Sequence, residues 1–167
     1  MSARKFFGRL LDVDEAATWR EGLRAEGKTV VFTNGCFDVL HDGHVDYLAD
    51  ARALGDALVV GLNEDASVRR LKGEGRPIVP FGQRAEVLLA LRSVDAVVGF
   101  SQATPEALLD RIRPDVHVKS KQYSEDELPE RTVVLQHGGR IVLVEHRSGR
   151  STTDVIARIL DAYSRNR

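Results

Sequence analysis

Five short apolar runs, rich in valine and lacking polar alternation, punctuate this chain: 29–33, 56–63 (DALVVGLN), 95–100 (DAVVGF), 115–119 (DVHVK) and 140–145 (RIVLVE). Runs of this kind predict strands covered on both faces, as in a parallel sheet. The segments between them carry helical spacing. They are 44–54, a short piece at 64–71, 82–93, a helix opened by Thr104 as N-cap with Pro105 in its first turn, two short pieces within 120–137, and a final helix opened by Ser151. Ahead of the first run, 12–26 (DVDEAATWREGLRAE) places Ala16, Trp19 and Leu23 on one stripe, fills its first turn with acidic residues and stops at Gly27.

Strands alternating with helices of about ten residues make βαβ units, whose crossovers are right-handed and put helices on both sides of the sheet. The expected architecture is α/β: a single Rossmann-like doubly wound domain with a five-stranded parallel sheet and helices on both faces. Residues 1–27 form a helical extension ahead of the main domain, 28–167. Ligands in such folds bind outside the carboxyl ends of the strands. The candidate site is therefore the set of loops 33–44, 63–65, 119–123 and 146–153.

Composition narrows the partners. The 167 residues suit one domain, and 43% hydrophobic with 29% charged residues is ordinary for a globular protein. A net charge of -1 exerts no global pull toward nucleic acid or an anionic membrane, so any anion site must be local. Cys36 is the single cysteine, which excludes an intramolecular disulfide and a thiolate metal cluster and suits a reducing cytoplasm. The N-terminal apolar residues are interrupted by Gly8, Arg9 and Asp12, unlike a signal peptide, and no run approaches the ~20 residues of a membrane span. A cytoplasmic protein with neither nucleic-acid nor membrane partners is expected.

The chemistry concentrates in TNGCFDVLHDGH, 33–44, where a strand ends and a helix opens. Backbone N–H groups and the positive helix end attract anions there. Gly35 and Gly43 permit tight turning, and His41 and His44 project to one side. Neither the dinucleotide nor the P-loop spacing of glycines is present. Zinc on the histidine pair would need a third ligand, for which Asp38 is the nearby residue; the ligand count weighs against it. Two capped surface histidines are the plainer alternative. A second anion signal is SGRSTTD, 148–154: one hydroxyl suffices to cap the last helix, and Ser151, Thr152 and Thr153 offer a surplus suited to a polyphosphate tail. A third is the basic group Arg69, Arg70, Lys72, Arg76 and Arg84 around a Gly/Pro loop, readable either as a solvated face or as a cover over phosphates. Lys119 ends the fourth run at the same rim.

TNGCFDVLHDGHVDYLADARALGD resembles the opening of the nucleotidyltransferases of the cytidylyltransferase-like superfamily, whose mark is H-x-G-H. The stretches VGLNEDASVRRLKGEGRPIVPFGQRAEVLLAL and RSTT resemble its branch of adenylyltransferases that make ADP-heptose from a heptose 1-phosphate for lipopolysaccharide core. The resemblance implies that His41 and His44 bind nucleotide phosphates and stabilise the reacting phosphorus. It implies that Thr33, Asn34, Gly35, Cys36 and Phe37 belong to the nucleotide-binding stretch, with backbone near the α-phosphate. Asn63 and Asp65 would line the nucleotide side of the cleft, and Ser151, Thr152 and Thr153 would hold the β- and γ-phosphates. Asp38, Arg76, Lys119 and Lys121 are the candidates for the acceptor. Cys36 reads as packing. Where that branch has Lys-Gly-Gly-Asp-Tyr, this chain has KSKQY, 119–123, which leaves the acceptor's identity open.

The implied reaction joins a nucleoside monophosphate from a triphosphate, ATP in that branch, to a sugar 1-phosphate and releases pyrophosphate, with Mg²⁺ entering alongside the triphosphate. The resemblance also implies a homodimer. The alternatives are a cytidylyltransferase acting on glycerol 3-phosphate or another alcohol phosphate, and a nucleotide-binding module without catalysis. Arg147 stands one residue short of the spacing to Ser151 usual in the former, and the presence of both histidines and the hydroxyl run argues against the latter.

Overall fold

The valine-rich runs pair edge to edge into a parallel sheet. The computed structural model describes residues 7–145 and 151–165. In chain order its strands are β1 (Arg9–Leu11), β2 (Val30–Gly35), β3 (Ala57–Asn63), β4 (Ala96–Phe100), β5 (Val116–Ser120) and β6 (Arg140–Val144). The helices are α1 (Val13–Ala25), α2 (Asp42–Arg52), α3 (Asp65–Lys72), α4 (Phe81–Leu89), α5 (Glu106–Ile112), α6 (Arg131–Gln136) and α7 (Thr152–Ser164). The strand order is β1-β4-β3-β2-β5-β6, every pairing parallel. From β2 the chain winds outward through β3 and β4, then returns to place β5 on the other side of β2. The crevice between the carboxyl ends of β2 and β5 is thus the topological switch point, where open α/β sheets take their ligands.

Successive strand residues point to opposite faces, and both faces are filled. Val31, Leu58, Val60, Leu62, Val97, Val116 and Val118 pack with Tyr47 and Leu48 of α2 and Ala85 and Leu88 of α4. Val30, Phe32, Val59, Ala96 and Val98 face Ala16 of α1, Leu108, Leu109 and Ile112 of α5, and Val134 of α6. No helix among the described residues is long and apolar enough to cross a membrane.

Among the described residues the sheet has six strands, not the expected five. β1 adds to the β4 edge in the register Arg9↔Ala96 to Leu11↔Val98. Three residues are too few to show strand periodicity, and the decisive residue lies beside them. A Cβ on Gly8 would stand 2.6 Å from the Val94 carbonyl oxygen, so only glycine lets the chain come close enough to pair. α1 follows, N-capped by Asp12 in a reciprocal pairing with Glu15. Its buried face carries Ala16 and also Arg20, which is 1% exposed and bonds Asp115 and the Arg113 carbonyl. At α5 the N-cap position is Pro105 rather than Thr104, whose hydroxyl bonds Glu106. Two boundaries matter for function. β2 runs on through Asn34 and Gly35, paired with Gly61 and Leu62, and α2 begins at Asp42.

Candidate active site

β2 delivers Asn34 and Gly35 to the rim, and the chain then turns sharply. Phe37 adopts a left-handed backbone conformation (φ 43°), a strained choice for a bulky residue and one concentrated at functional sites. The turn brings its ring back over Gly35, where a Cβ would meet Phe37 Cε2 at 3.0 Å. Gly35 therefore makes room for a side chain, rather than for a ligand alone. The Phe37 ring lies edge-on to His44 with 5.2 Å between centroids, and His44 lies against His41 at 3.9 Å with the rings tilted by 30°. His41 occupies the N-cap position of α2 in extended conformation and its side chain does not cap the helix. Gly43 is buried in the first turn. The two imidazoles are thus held as a stacked pair at the positive end of α2.

The hydroxyl element meets this loop. Ser151 caps α7, accepting from the Asp154 N–H and donating to the Asp154 carboxylate. Thr152 donates to the Val39 carbonyl at 3.3 Å, which joins the start of α7 to the histidine loop. Thr153 is exposed. The remainder of the SGRSTTD motif, 148–150, lies outside the described residues, as does Arg147, on which the spacing argument rests.

On the other side of the switch point, Lys119 ends β5. Its ammonium donates to Asn34 Oδ1 at 3.3 Å, pairs with Glu130 Oε1 at 2.9 Å and sits 5.2 Å from the Tyr123 ring centre. Glu130 also pairs with His117 Nε2 at 3.1 Å. Burial alone would push the Glu130 carboxyl up. The bond from His117 and the Lys119 charge outweigh it and hold the group at about 2. Burial pushes the His117 imidazole down, so it stays neutral at neutral pH and donates to the carboxylate.

Several candidates have structural work that sequence reading did not foresee. Thr33 is fully buried, and its hydroxyl bonds the Tyr47 hydroxyl at 2.8 Å and the Val118 carbonyl at 3.0 Å. It ties β2 to β5 beneath the cleft. Asp38 and Arg76, both expected to contact the acceptor, bond each other. Asp38 also accepts from the Ile78 and Val79 N–H groups at 2.9 and 2.8 Å. Burial works against this carboxylate, yet the two N–H groups and the guanidinium keep it below the usual carboxylate range. The ion pair fastens the Gly/Pro loop to the histidine loop. Asn63 donates to Ser67 Oγ at 3.0 Å, and Asp65 accepts from Phe81 N–H and Arg84. Burial pushes the Cys36 thiol up, which fits packing rather than nucleophilic chemistry. Lys121 points to the surface, where it pairs with Glu145 at 2.9 Å. Among the described residues, no group of three or more His, Cys, Asp or Glu is placed to hold a metal ion.

Two further residues organise the site. Arg84, grouped above with basic residues readable as a solvated face or as a cover over phosphates, is 2% exposed. Its guanidinium donates to the carbonyls of Cys36 (2.6 Å), Asn63 (2.8 Å) and Val79 (2.9 Å) and to Asp65 Oδ1 (2.7 Å). One planar fork thereby fixes the loops after β2 and β3 and the loop before α4. Its sequence signals were its place in the basic group and in the block matching the heptose branch, neither of which marks it as buried. Glu130 gave none: a glutamate between Pro129 and Arg131 reads as surface.

Comparison with known proteins identifies the family. Bifunctional protein HldE of Syntrophotalea carbinolica is 50% identical over 160 residues, covering 92% of this chain and 33% of that protein. Bifunctional protein HldE of Geobacter sulfurreducens is 54% identical over 140 residues, covering 84% and 29%. The chain thus spans about a third of the length of these curated relatives. Among solved structures, a lipopolysaccharide core biosynthesis protein from Thermoplasma volcanium superposes with a TM-score of 0.60 at 26% identity, covering 71% of this chain and 98% of the other. Pantoate-beta-alanine ligase from Francisella tularensis shares the fold alone, with a TM-score of 0.58 at 13% identity over 87% of this chain and 69% of its own. The sequence model of the cytidylyltransferase-like family matches residues 32–158, a span that takes in the histidine loop, the Arg84 fork, Lys119 and the start of α7, and the chain belongs to that family.

Proposed function

We propose that this protein transfers a nucleoside monophosphate, AMP from ATP, to the phosphate of a heptose 1-phosphate and releases pyrophosphate. The observation that carries the reading is the His41–His44 pair, stacked at 3.9 Å on the N-terminus of α2 beside the switch point. Donors without bulk, at a positive helix end, suit a reaction that gathers negative charge on one phosphorus. A phosphate oxygen of the acceptor attacks the α-phosphorus in line. The new P–O bond forms as the bond to the β-phosphate bridging oxygen breaks, and pyrophosphate carries away that electron pair.

A sugar phosphate is largely dianionic at neutral pH, its second pKa being ~6, so the attack needs no general base. Catalysis is then positioning and charge stabilisation. His41 and His44 donate to the oxygens of the reacting phosphorus. Thr152 and Thr153 hold the β- and γ-phosphates, and Lys119 meets the second reactant. Mg²⁺ supplies charge neutralisation when it arrives with the triphosphate. The described side chains offer no carboxylate cage for it, so phosphate oxygens and water are its proposed ligands. The block at 60–91 and the core-biosynthesis protein from Thermoplasma volcanium support a lipopolysaccharide heptose as the acceptor. A homodimer working in the cytoplasm completes the proposal; light scattering checks the first.

The test is pyrophosphate release from each of four nucleoside triphosphates against a panel of sugar and alcohol phosphates. ATP with heptose 1-phosphate is expected to give the highest kcat/KM. Preference for CTP with glycerol 3-phosphate, or no release with any pair, overturns the reading.

A further inference from the structure

Glu130 holds the N-cap position of α6 and is 1% exposed. An ionised carboxylate is costly there unless paired and hydrogen-bonded. His117 and Lys119 stand two apart on β5 and share the face toward α6, and both bond the same oxygen, Oε1. His117 is itself fully buried, with Phe32 at 5.6 Å between ring centroids. Lysine has a long flexible stem and keeps one position only when something fixes it. Here the Glu130 carboxylate, Asn34 and the Tyr123 ring surround an ammonium whose side chain is 14% exposed. Asn34 belongs to β2 and Lys119 to β5, so the charge sits astride the crevice.

We propose that Glu130 is a positioning residue acting through Lys119: the buried carboxylate holds the ammonium at the switch point, where it receives the phosphate of the acceptor. The weaker of the two polar contacts, 3.3 Å to Asn34, is the one a phosphate oxygen replaces, while the 2.9 Å bond to Glu130 persists. Direction supports the acceptor over the nucleotide. The histidines and the start of α7 approach from the α2 side of the sheet, and Glu130 from the side of α1, α5 and α6. In-line displacement puts attacking and leaving groups on opposite sides of the phosphorus. The inference rests on the transferase reading above.

Calorimetric binding of heptose 1-phosphate and of ATP with Mg²⁺ to the wild type, Glu130→Gln, Lys119→Gln and the double variant tests it, with thermal melts alongside. Lys119→Gln should weaken sugar-phosphate binding about tenfold or more and leave ATP within about twofold. Glu130→Gln should reproduce most of that loss, and the double variant should bind no worse than Lys119→Gln alone. If Glu130→Gln does not fold, Glu130→Asp, which keeps the charge but shortens its reach, must weaken sugar-phosphate binding selectively. Additive losses, or a lowered melt with unchanged sugar-phosphate binding, make Glu130 merely structural and overturn the proposal. A loss confined to ATP overturns it as well. Because the readout is binding, a wild type that binds both ligands yet releases no pyrophosphate refutes the transferase reading and leaves this result standing.

Discussion

Replacing Arg84 with methionine keeps most of the stem volume and removes every donor. Three carbonyls lose a partner at 2.6–2.9 Å, that of Asn63 in a buried contact and those of Cys36 and Val79 in partly buried ones. Asp65 loses its guanidinium but keeps the Phe81 N–H at 2.9 Å and is partly exposed, so its share is smaller. A buried acceptor left unpaired costs about 1–3 kcal/mol. A full sum overstates the loss, because loops relax and water enters. The expected destabilisation is about 2–4 kcal/mol, from one buried and two partly buried acceptors left unpaired. That is a large part of the ~5–15 kcal/mol that holds a domain together. Urea unfolding measures it as a drop in midpoint at constant slope. Arg84→Lys should recover only part, since one compact ammonium cannot span four acceptors. A loss below about 1 kcal/mol for Arg84→Met, with unchanged slope, would refute the view that this fork braces the cleft.

His44→Ala should lower turnover about a hundredfold or more, the cost of one transition-state donor, with the melt little changed; near-wild-type turnover in a folded variant removes its role. Thr152→Val should weaken ATP binding much more than AMP binding, whereas equal losses by calorimetry would leave Thr152 only its bond to Val39. The depressed Glu130 carboxyl makes stability pH-dependent with a definite sign. Its contribution is complete above the ordinary value of 4.5 and is lost as pH falls toward about 2. His117, lowered by burial, acts in the same direction below 6.5. The urea midpoint should therefore fall from pH 7 to pH 3.5 less steeply in Glu130→Gln than in the wild type; parallel curves contradict the assignment.

Residue type was informative where chemistry or the backbone restricts it. The valine runs revealed both covered faces of the sheet, and the spacing of His41, Gly43 and His44 marked the strand-to-helix turn. What escaped was whatever depends on partners distant in sequence. Asn34 and Gly35 look like loop residues, yet β3 supplies Gly61 and Leu62 to pair with them. Arg84, Glu130 and Arg20 look like surface charges, because nothing local distinguishes a solvated guanidinium from one ringed by carbonyls. Asp38 and Arg76 look like free polar groups beside the cleft, yet each finds the other across 38 residues. Free-looking polar groups at a cleft divide into those that face the ligand and those that hold the walls, and only packing separates them.

The pairing of β1 with β4 bears on how the molecule behaves in a crowded solution. Without it, Ala96, Val97 and Val98, all fully buried, would present unpaired N–H and C=O groups along an apolar strand. Such a strand is a template for another chain, and so for aggregation. β1 covers it and offers a poor template in its place: three residues, opened by the charged Arg9. Gly8, which lets that strand settle, touches no reactant. Its influence is colloidal, keeping one copy of the sheet from growing into the next.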